Sequence, residues 1–269
     1  MKRQVIERLH WPLAALVPST SVWDFNWDVL CVLDGCRVDA FREFYPDTES
    51  YWSVASTSKN WLRRTFDPAP VDLDRVGLIT ANPFSTEIDL DEFGFSRLEP
   101  VTEVDGIETV PPNRLRNLAI GAWDQLDLDY LVVHFMQPHV PFRNDNGWFD
   151  DYLGTETWGS EIWRLIGDEI PEDEFWSAYL DNLEWVLEDG VDPLQTRIDG
   201  RVGITADHGN GMGEFGIYAH PKQVVAPTVR RVPWHSFRAR AISSAEEISI
   251  DSTQPEVDVE EQLAALGYR

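Results

Sequence analysis

An acid and an imidazole stand side by side after a short apolar run. Residues 202–204 are apolar, Asp207 and His208 follow, and glycines occupy alternate positions over 209–213. A carboxylate oxygen beside an imidazole nitrogen is a ligand pair suited to Zn²⁺ or Mn²⁺. A buried strand of an α/β sheet delivers such side chains to its carboxyl edge. The same residues also fit a glycine-rich turn with an aspartate cap and a surface histidine, so this segment alone leaves both interpretations open.

Two further apolar runs end near side chains that could bind a metal. Asp34 directly follows the run 28–33. The run 129–135 leads to His139, which lies in a loop bounded by prolines. Asp34 could equally cap the helix predicted after it. His134, inside the second run, is interpreted as a core histidine. Because the carboxyl ends of parallel strands meet at one sheet edge, Asp34, His139 and the Asp-His pair are expected to converge into a metal site.

Three consecutive hydroxyl side chains precede a helical pattern: Ser56, Thr57 and Ser58. Serine and threonine are common at helix starts because their side chains cap free backbone N–H groups. A hydroxyl at that position is also suited to nucleophilic attack, since a helix N-terminus and a nearby metal both favour its ionised form. The residues alone fit either role.

The order of the predicted elements is typical of an α/β protein. Strand-like apolar runs alternate with helical patterns, which predicts a three-layer α/β/α sandwich with a mostly parallel central sheet. The length of 269 residues fits a single domain over 1–269. Residues 82–110 are expected to form an irregular excursion over the sheet. Helices are predicted near 156–166 and 172–189, and a C-terminal helix at 256–266.

The chain is strongly acidic. Asp and Glu number 47 against 22 Lys and Arg, for a net charge of −25, and aromatic residues make up 12%. The aromatic content argues against disorder. The charge argues against nonspecific binding to nucleic acid, because phosphates would be repelled. A folded protein with an acidic, solvated surface, as in organisms with a salty cytoplasm, fits best.

This halophilic interpretation predicts that salt stabilises the fold. In dilute buffer the excess negative charge repels itself, and screening relieves that repulsion as the Debye length shrinks to about 3 Å at 1 M salt. The melting temperature, followed by circular dichroism, is therefore expected to rise between low and molar KCl. A melting temperature that stays level or falls would contradict the interpretation.

Cysteine usage and the N-terminus bear on the cell compartment. Cys31 and Cys36 are the only cysteines, and both are interpreted as small hydrophobic residues of a protein in a reducing compartment. The apolar stretch 11–18 contains two prolines and is shorter than the ~18 residues of a membrane span. No transmembrane or targeting segment is therefore expected, and a cytoplasmic location is predicted.

Five segments match motifs that occur together in one superfamily. They are 33–39, similar to a D-S-x-R-x-D turn; 206–220, similar to S-D-H-G-E-x-x-G-E…H; 134–141, similar to H-x…x-H-x-P; 231–233, similar to an R-V-P strand; and 266–268, similar to a C-terminal L-G-Y. With these motifs the chain resembles the alkaline phosphatase superfamily, in the sulfatase-like branch with lipoteichoic acid synthases and phosphoethanolamine transferases. The resemblance covers most of the chain and implies an alkaline phosphatase-like fold.

The resemblance also implies a metal centre. By this similarity Asp34, Asp207 and His208 would bind one divalent metal together with the nucleophile, for which Thr57 is chosen. Zn²⁺ or Mn²⁺ is expected, with Ca²⁺ or Mg²⁺ as alternatives.

The same resemblance implies roles around that metal. His139 and His220 would hold the transferred phosphoryl or sulfuryl group, or a second metal, and would assist the leaving group. Lys222 would also reach that anion.

The chain departs from the sulfatases at the nucleophile. Their C-x-P-x-R motif, whose cysteine becomes formylglycine, is absent, and residues 55–59 occupy its place without a cysteine. This favours a Ser/Thr enzyme that uses Thr57, with Ser56 and Ser58 as alternatives because the register is open. Hydrolysis or transfer of phosphate esters is predicted ahead of sulfate esters, on a small-molecule or a lipid or glycan ester. The alternative function is a non-catalytic, metal-binding module.

Overall fold

A seven-stranded sheet runs through the centre of the protein. The computed structural model describes residues 18–104, 106–144, 162–242, 248, 255 and 257–265. The strands in this part of the chain are β1 (Val29–Asp34), β2 (Glu49–Trp52), β3 (Val76–Thr80), β4 (Phe95–Leu98), β5 (Thr102–Val104), β6 (Ile107–Thr109), β7 (Tyr130–Pro138), β8 (Gly200–Ala206), β9 (Gly211–Met212), β10 (Tyr218–Ala219) and β11 (Arg231–Ala239). The sheet has the order β2-β11-β8-β1-β7-β3-β4, and β5–β6 and β9–β10 form two small antiparallel ladders.

Strand β1 lies in the middle of this sheet and is buried along its whole length. It pairs in parallel with β7 on one side and with β8 on the other. Among the seven strands described, β11 runs antiparallel to both of its neighbours. A continuous apolar run is what a strand covered on both faces requires. The prediction of parallel strands that end together at one sheet edge is confirmed.

Helices cover both faces of the sheet. They are α1 (Val38–Phe44), α2 (Ser58–Phe66), α3 (Pro112–Gln125), α4 (Glu172–Val186), α5 (Pro227–Arg230) and α6 (Val259–Ala265). Consecutive strand residues point to opposite faces. On one face the His134 ring lies 5.6 Å from the ring of Trp61 in α2. On the other, Phe135 packs so closely on Gly190, beyond α4, that a Cβ there would come within 2.9 Å of the ring. The predicted three-layer sandwich is confirmed.

The segment 82–110 differs from the irregular excursion predicted for it. Phe95–Leu98 forms β4, which pairs in parallel with β3 and extends the sheet, and the β5–β6 ladder follows. Within β4, Arg97 is buried and its Nε donates to Glu99 at 2.5 Å. A short strand with a buried ion pair lacks the apolar pattern that identifies a strand in the sequence.

The predicted helices are only partly matched. The helix at 156–166 lies mostly outside the described residues, which resume with a single 3-10 turn at Ile162–Arg164. The helix at 172–189 is α4, and it passes into the π-helical turn Leu187–Val191. The C-terminal helix predicted at 256–266 is confirmed as α6, with a later start.

Other predictions concern the cysteines and the chain ends. Cys31 lies inside β1 and Cys36 lies just beyond it, and both thiols are free and buried, as predicted for small hydrophobic residues. Within the described residues no helix is both long enough and apolar enough to cross a membrane. The predictions for 1–17 and 266–268 lie outside the described residues.

Candidate active site

Asp34, Asp207 and His208 lie together at the carboxyl edge of the sheet. Leu33 of β1 pairs with Ala206 of β8, so the residues that follow them reach the same point of the edge. His208 Nε2 is 3.4 Å from Asp207 Oδ2 and 3.8 Å from Asp34 Oδ1. All three side chains are fully buried. The structure brings together the three residues that the sequence analysis assigned to a metal.

Backbone donors hold one oxygen of Asp207 and leave the other without a partner. The N–H groups of Gly35 and His208 both donate to Oδ1, at 3.0 and 2.8 Å. Gly35 has a φ of +66°, and a Cβ there would lie 2.3 Å from Asn210 Nδ2, so this turn requires glycine. Asp207 Oδ2 is buried and has no hydrogen-bond partner among the described residues. It is the oxygen that faces His208.

Side chains hold one oxygen of Asp34 and leave its other oxygen without a partner. Its Oδ2 accepts hydrogen bonds from Asn82 Nδ2 at 2.7 Å and from Ser58 Oγ at 3.2 Å. Asn82 is itself oriented, because its Oδ1 accepts from the N–H of Phe84 at 2.9 Å. Asp34 Oδ1 is buried without a hydrogen-bond partner in the described part of the chain. Asp34 and Asp207 therefore each present one unpartnered oxygen to the same site.

Ser58 supplies the hydroxyl of this site. It is the first residue of α2, and its Oγ lies 3.2 Å from His208 Nε2 and 3.2 Å from Asp34 Oδ2. His208 Nδ1 lies 3.0 Å from the carbonyl oxygen of Gly209. A carbonyl only accepts, so Nδ1 carries the proton of this ring and Nε2 presents a lone pair to the site.

Of the three predicted hydroxyls, Ser58 and not Thr57 lies against Asp34 and His208. Thr57 is the N-cap of α2, and its Oγ1 accepts from the N–H of Asn60 at 3.4 Å. Ser56 donates to the carbonyl of Pro221 at 3.0 Å. Each step along a helix turns a side chain by about 100°, so neighbouring hydroxyls cannot share one site. Thr57 therefore caps the helix, and Ser58 contributes the hydroxyl of the site.

His134 also faces this cluster and is not the satisfied core histidine that its position in an apolar run indicates. Its Nε2 is 3.8 Å from Asp207 Oδ2, and neither ring nitrogen has a hydrogen-bond partner within the described residues. Burial lowers the pKa of His134 to about 4, so the imidazole is neutral at neutral pH. Asp34, His134 and Asp207 each offer one ligand atom, and these atoms lie within 4.8 Å of one another.

The donor set fits a divalent cation. Burial and the neighbouring Asp207 raise the pKa of Asp34 well above its usual value. Burial acts in the same direction on Asp207, but His208 and His134 outweigh it and lower that pKa. In the protein alone these directions favour the protonated form of Asp34 over that of Asp207. A divalent cation would compensate both carboxylates and satisfy their unpartnered oxygens together with one ring nitrogen of His134.

Two more imidazoles continue the cluster from His208. The ring centroids of His208 and His220 lie 4.3 Å apart, and those of His139 and His220 lie 5.5 Å apart. His139 Nδ1 is 2.9 Å from the carbonyl oxygen of Val140, and burial lowers the pKa of His139 to about 4. Lys222 lies exposed two residues beyond His220. The structure thus places both loop histidines beside the predicted metal ligands.

No protein-family model matches the chain, and no curated protein does. Its fold is similar to the C-terminal periplasmic domain of phosphoethanolamine transferase EptC from Campylobacter jejuni, with a TM-score of 0.50, 15% identity and 78% of each chain covered. The soluble domain of lipooligosaccharide phosphoethanolamine transferase A from Neisseria meningitidis gives a TM-score of 0.50 at 12% identity, over 85% of this chain and 81% of that one. The C-terminal periplasmic domain of EcEptC from Escherichia coli gives 0.52 at 12% identity, over 83% and 77%. The chain shares an alkaline phosphatase-like fold with these domains.

The site contains two residues that the sequence analysis did not place there. Asn82 follows β3, which pairs in parallel with β7, so the rule that located Asp34 at a strand end also applies to it. His134 is in register with Val32 of β1, and side chains two residues apart share a face of the sheet. His134 therefore points to the same side as Asp34, a relation that only the strand register reveals.

Proposed function

We propose that the protein is a metal-dependent transferase or hydrolase of phosphate esters with Ser58 as its nucleophile. One observation carries this proposal: the Ser58 hydroxyl lies 3.2 Å from both Asp34 and His208, beside carboxylate oxygens that lack hydrogen-bond partners among the described residues. A hydroxyl at a helix N-terminus is placed where its ionised form is favoured. The cation would be held by Ser58, Asp34, Asp207 and His208.

The proposed reaction consists of two displacements at phosphorus. In the first, Ser58 Oγ attacks phosphorus, its proton passes to the Asp34 oxygen to which it donates, and the bond to the leaving oxygen breaks. His220 donates a proton to that oxygen, and the neutral His139 lies beside His220. In the second, the oxygen of water or of an acceptor hydroxyl attacks phosphorus and gives its proton to His220, the bond between phosphorus and Ser58 Oγ breaks, and Asp34 returns the proton to Ser58. A bound divalent cation supplies stabilisation of the negative charge that develops on the oxygens.

Phosphorus is proposed ahead of sulfur as the reacting centre. Residues 55–59 lack the C-x-P-x-R motif from which sulfatases form formylglycine, the group that expels sulfate by collapsing to an aldehyde. The covalent ester on a serine must instead be cleaved by water or by an acceptor hydroxyl. At a metal site this cleavage is easier for a phosphate ester than for a sulfate ester. The similar structures are named phosphoethanolamine transferases, and one name includes lipooligosaccharide, which supports phosphoryl-group transfer on a lipid or glycan ester.

An ester panel tests this function. The purified protein, loaded with Mn²⁺ or Zn²⁺ in molar salt, is expected to cleave an aryl phosphate ester faster than the matching aryl sulfate. Chelation of the metal should remove the activity, and added metal should restore it. The opposite ester preference in the same preparation would overturn the choice of phosphate. Stoichiometric metal binding without turnover of either ester would favour the non-catalytic, metal-binding module.

A further inference from the structure

His134 is buried in a way that is unusual for a core histidine. Its side chain is fully buried, and both ring nitrogens lack a hydrogen-bond partner within the described ranges. Buried polar groups in folded proteins normally have partners, because an unpaired one is strongly unfavourable. The described part of the chain supplies none for this ring, and a bound group would supply one.

The sheet directs this ring toward the cation site. His134 is in register with Val32 of β1 and with Thr80 of β3. Asp34 comes two residues after Val32, so its side chain lies on the same face of the sheet, one step closer to the carboxyl edge. The Trp61 ring packs at 5.6 Å from the imidazole on this face. His134 therefore forms the deep side of the site in which Asp34 ends β1.

The distance between His134 and Asp207 fits two ligands of one metal ion. Their Nε2 and Oδ2 atoms are 3.8 Å apart, which is too long for a hydrogen bond. It is also shorter than the roughly 4.5 Å expected when one water bridges two atoms at a tetrahedral angle. Two atoms that are each about 2.1 Å from a metal ion lie about 3.0 Å apart at a right angle and at most about 4.2 Å apart. The distances from His208 Nε2 to Asp207 Oδ2 and to Asp34 Oδ1, 3.4 and 3.8 Å, fall in the same range.

We propose that His134 is a ligand of the divalent cation, which is then held by two imidazoles, two carboxylates and the Ser58 hydroxyl. This inference rests on the metal centre of the proposed function and adds a residue to it. Imidazole nitrogen favours Zn²⁺ and similar transition-metal ions, whereas Mg²⁺ and Ca²⁺ favour sites built from oxygen. His134 thus adds a second imidazole to that of His208 and increases the preference of the site for an ion of the zinc class.

X-ray absorption at the zinc edge counts imidazole ligands directly. The zinc-loaded protein is expected to show two imidazoles, and the His134→Ala variant one. The control is His235→Ala, because His235 lies on β11 with its ring 4.6 Å from that of Tyr45, and it should keep two. A single imidazole in the wild-type protein would overturn the assignment, and so would two in His134→Ala.

Zinc affinity gives a second readout that does not depend on catalysis. Competition with a chromophoric chelator is expected to show a Zn²⁺ dissociation constant that is roughly 100-fold higher in His134→Ala than in the wild-type protein. The dissociation constant for Mg²⁺ should change by less than about threefold. Added imidazole, which can fill the space left by the ring, should restore Zn²⁺ binding and so separate a lost ligand from a damaged fold. Unchanged Zn²⁺ affinity in His134→Ala would overturn the proposal.

A failure of His134→Ala to fold would not remove the test. Zinc-edge spectra of His139→Ala and His220→Ala would then decide it, since two imidazoles in each leave His134 and His208 as the ligands. A count that falls to one in either variant would assign the second imidazole to that loop histidine and overturn the proposal. A wild-type protein that binds no divalent metal would contradict the proposed function itself.

Discussion

Ser58→Ala is expected to lower turnover of an aryl phosphate by roughly 10⁴-fold or more while leaving the cation bound. The variant removes the hydroxyl that lies 3.2 Å from both Asp34 and His208. The carboxylates and imidazoles that would hold the metal remain. Initial rates measured on metal-loaded protein give the loss in kcat. Intact-mass spectrometry after substrate treatment should show a phosphorylated serine in the wild-type protein and none in the variant.

Thr57→Ala and Ser56→Ala are the matched controls for this prediction. Thr57 caps α2 at the long distance of 3.4 Å, so its loss should reduce stability by about 1 kcal/mol or less and change kcat by less than about threefold. Ser56 donates to Pro221 and should behave similarly. An active Ser58→Ala together with an inactive Thr57→Ala would return the nucleophile to Thr57. Full activity in all three variants would exclude a nucleophile at positions 56–58.

The ends of the buried strands could be predicted from the sequence because two signals coincide there. A run such as 28–33 is apolar on both faces, which a central parallel strand requires. An acid at its end then marks the edge where ligands gather. Asp34 and Asp207 follow this rule, and the structure places them side by side.

The remaining features depend on contacts between distant segments. Which of three adjacent hydroxyls enters the site depends on where α2 begins, because one residue changes the direction of a side chain by about 100°. His134 looks like a core residue until its register with Val32 is known. The strand β4 buries Arg97 against Glu99 and therefore has no apolar pattern. In each case a tertiary partner decides the outcome, and local propensity does not.

Asp207→Asn is expected to abolish metal binding with little change in the fold. The N–H groups of Gly35 and His208 donate to Asp207 Oδ1, and an asparagine keeps this oxygen as an acceptor. Its amide nitrogen must then occupy the place of Oδ2, the atom without a hydrogen-bond partner in the described residues. An NH₂ group cannot bind a cation, so the variant replaces a ligand with a donor. Metal content measured after dialysis should fall from stoichiometric to background.

Thermal unfolding with and without metal checks the same substitution against the fold. Metal at 100 times its dissociation constant stabilises the native state by about 2.7 kcal/mol, which corresponds to a rise in Tm of roughly 5–10 °C for a chain of this size. This rise should disappear in Asp207→Asn, while the Tm without metal stays level or increases because the repulsion that raises the pKa of Asp34 is relieved. Asp28→Asn is the matched control: Asp28 precedes β1, at the opposite end from the site, and accepts from the N–H of Arg201 at 2.6 Å. The Asp28→Asn variant should keep the metal-induced rise in Tm. A rise retained in Asp207→Asn would show that the cation binds without Asp207.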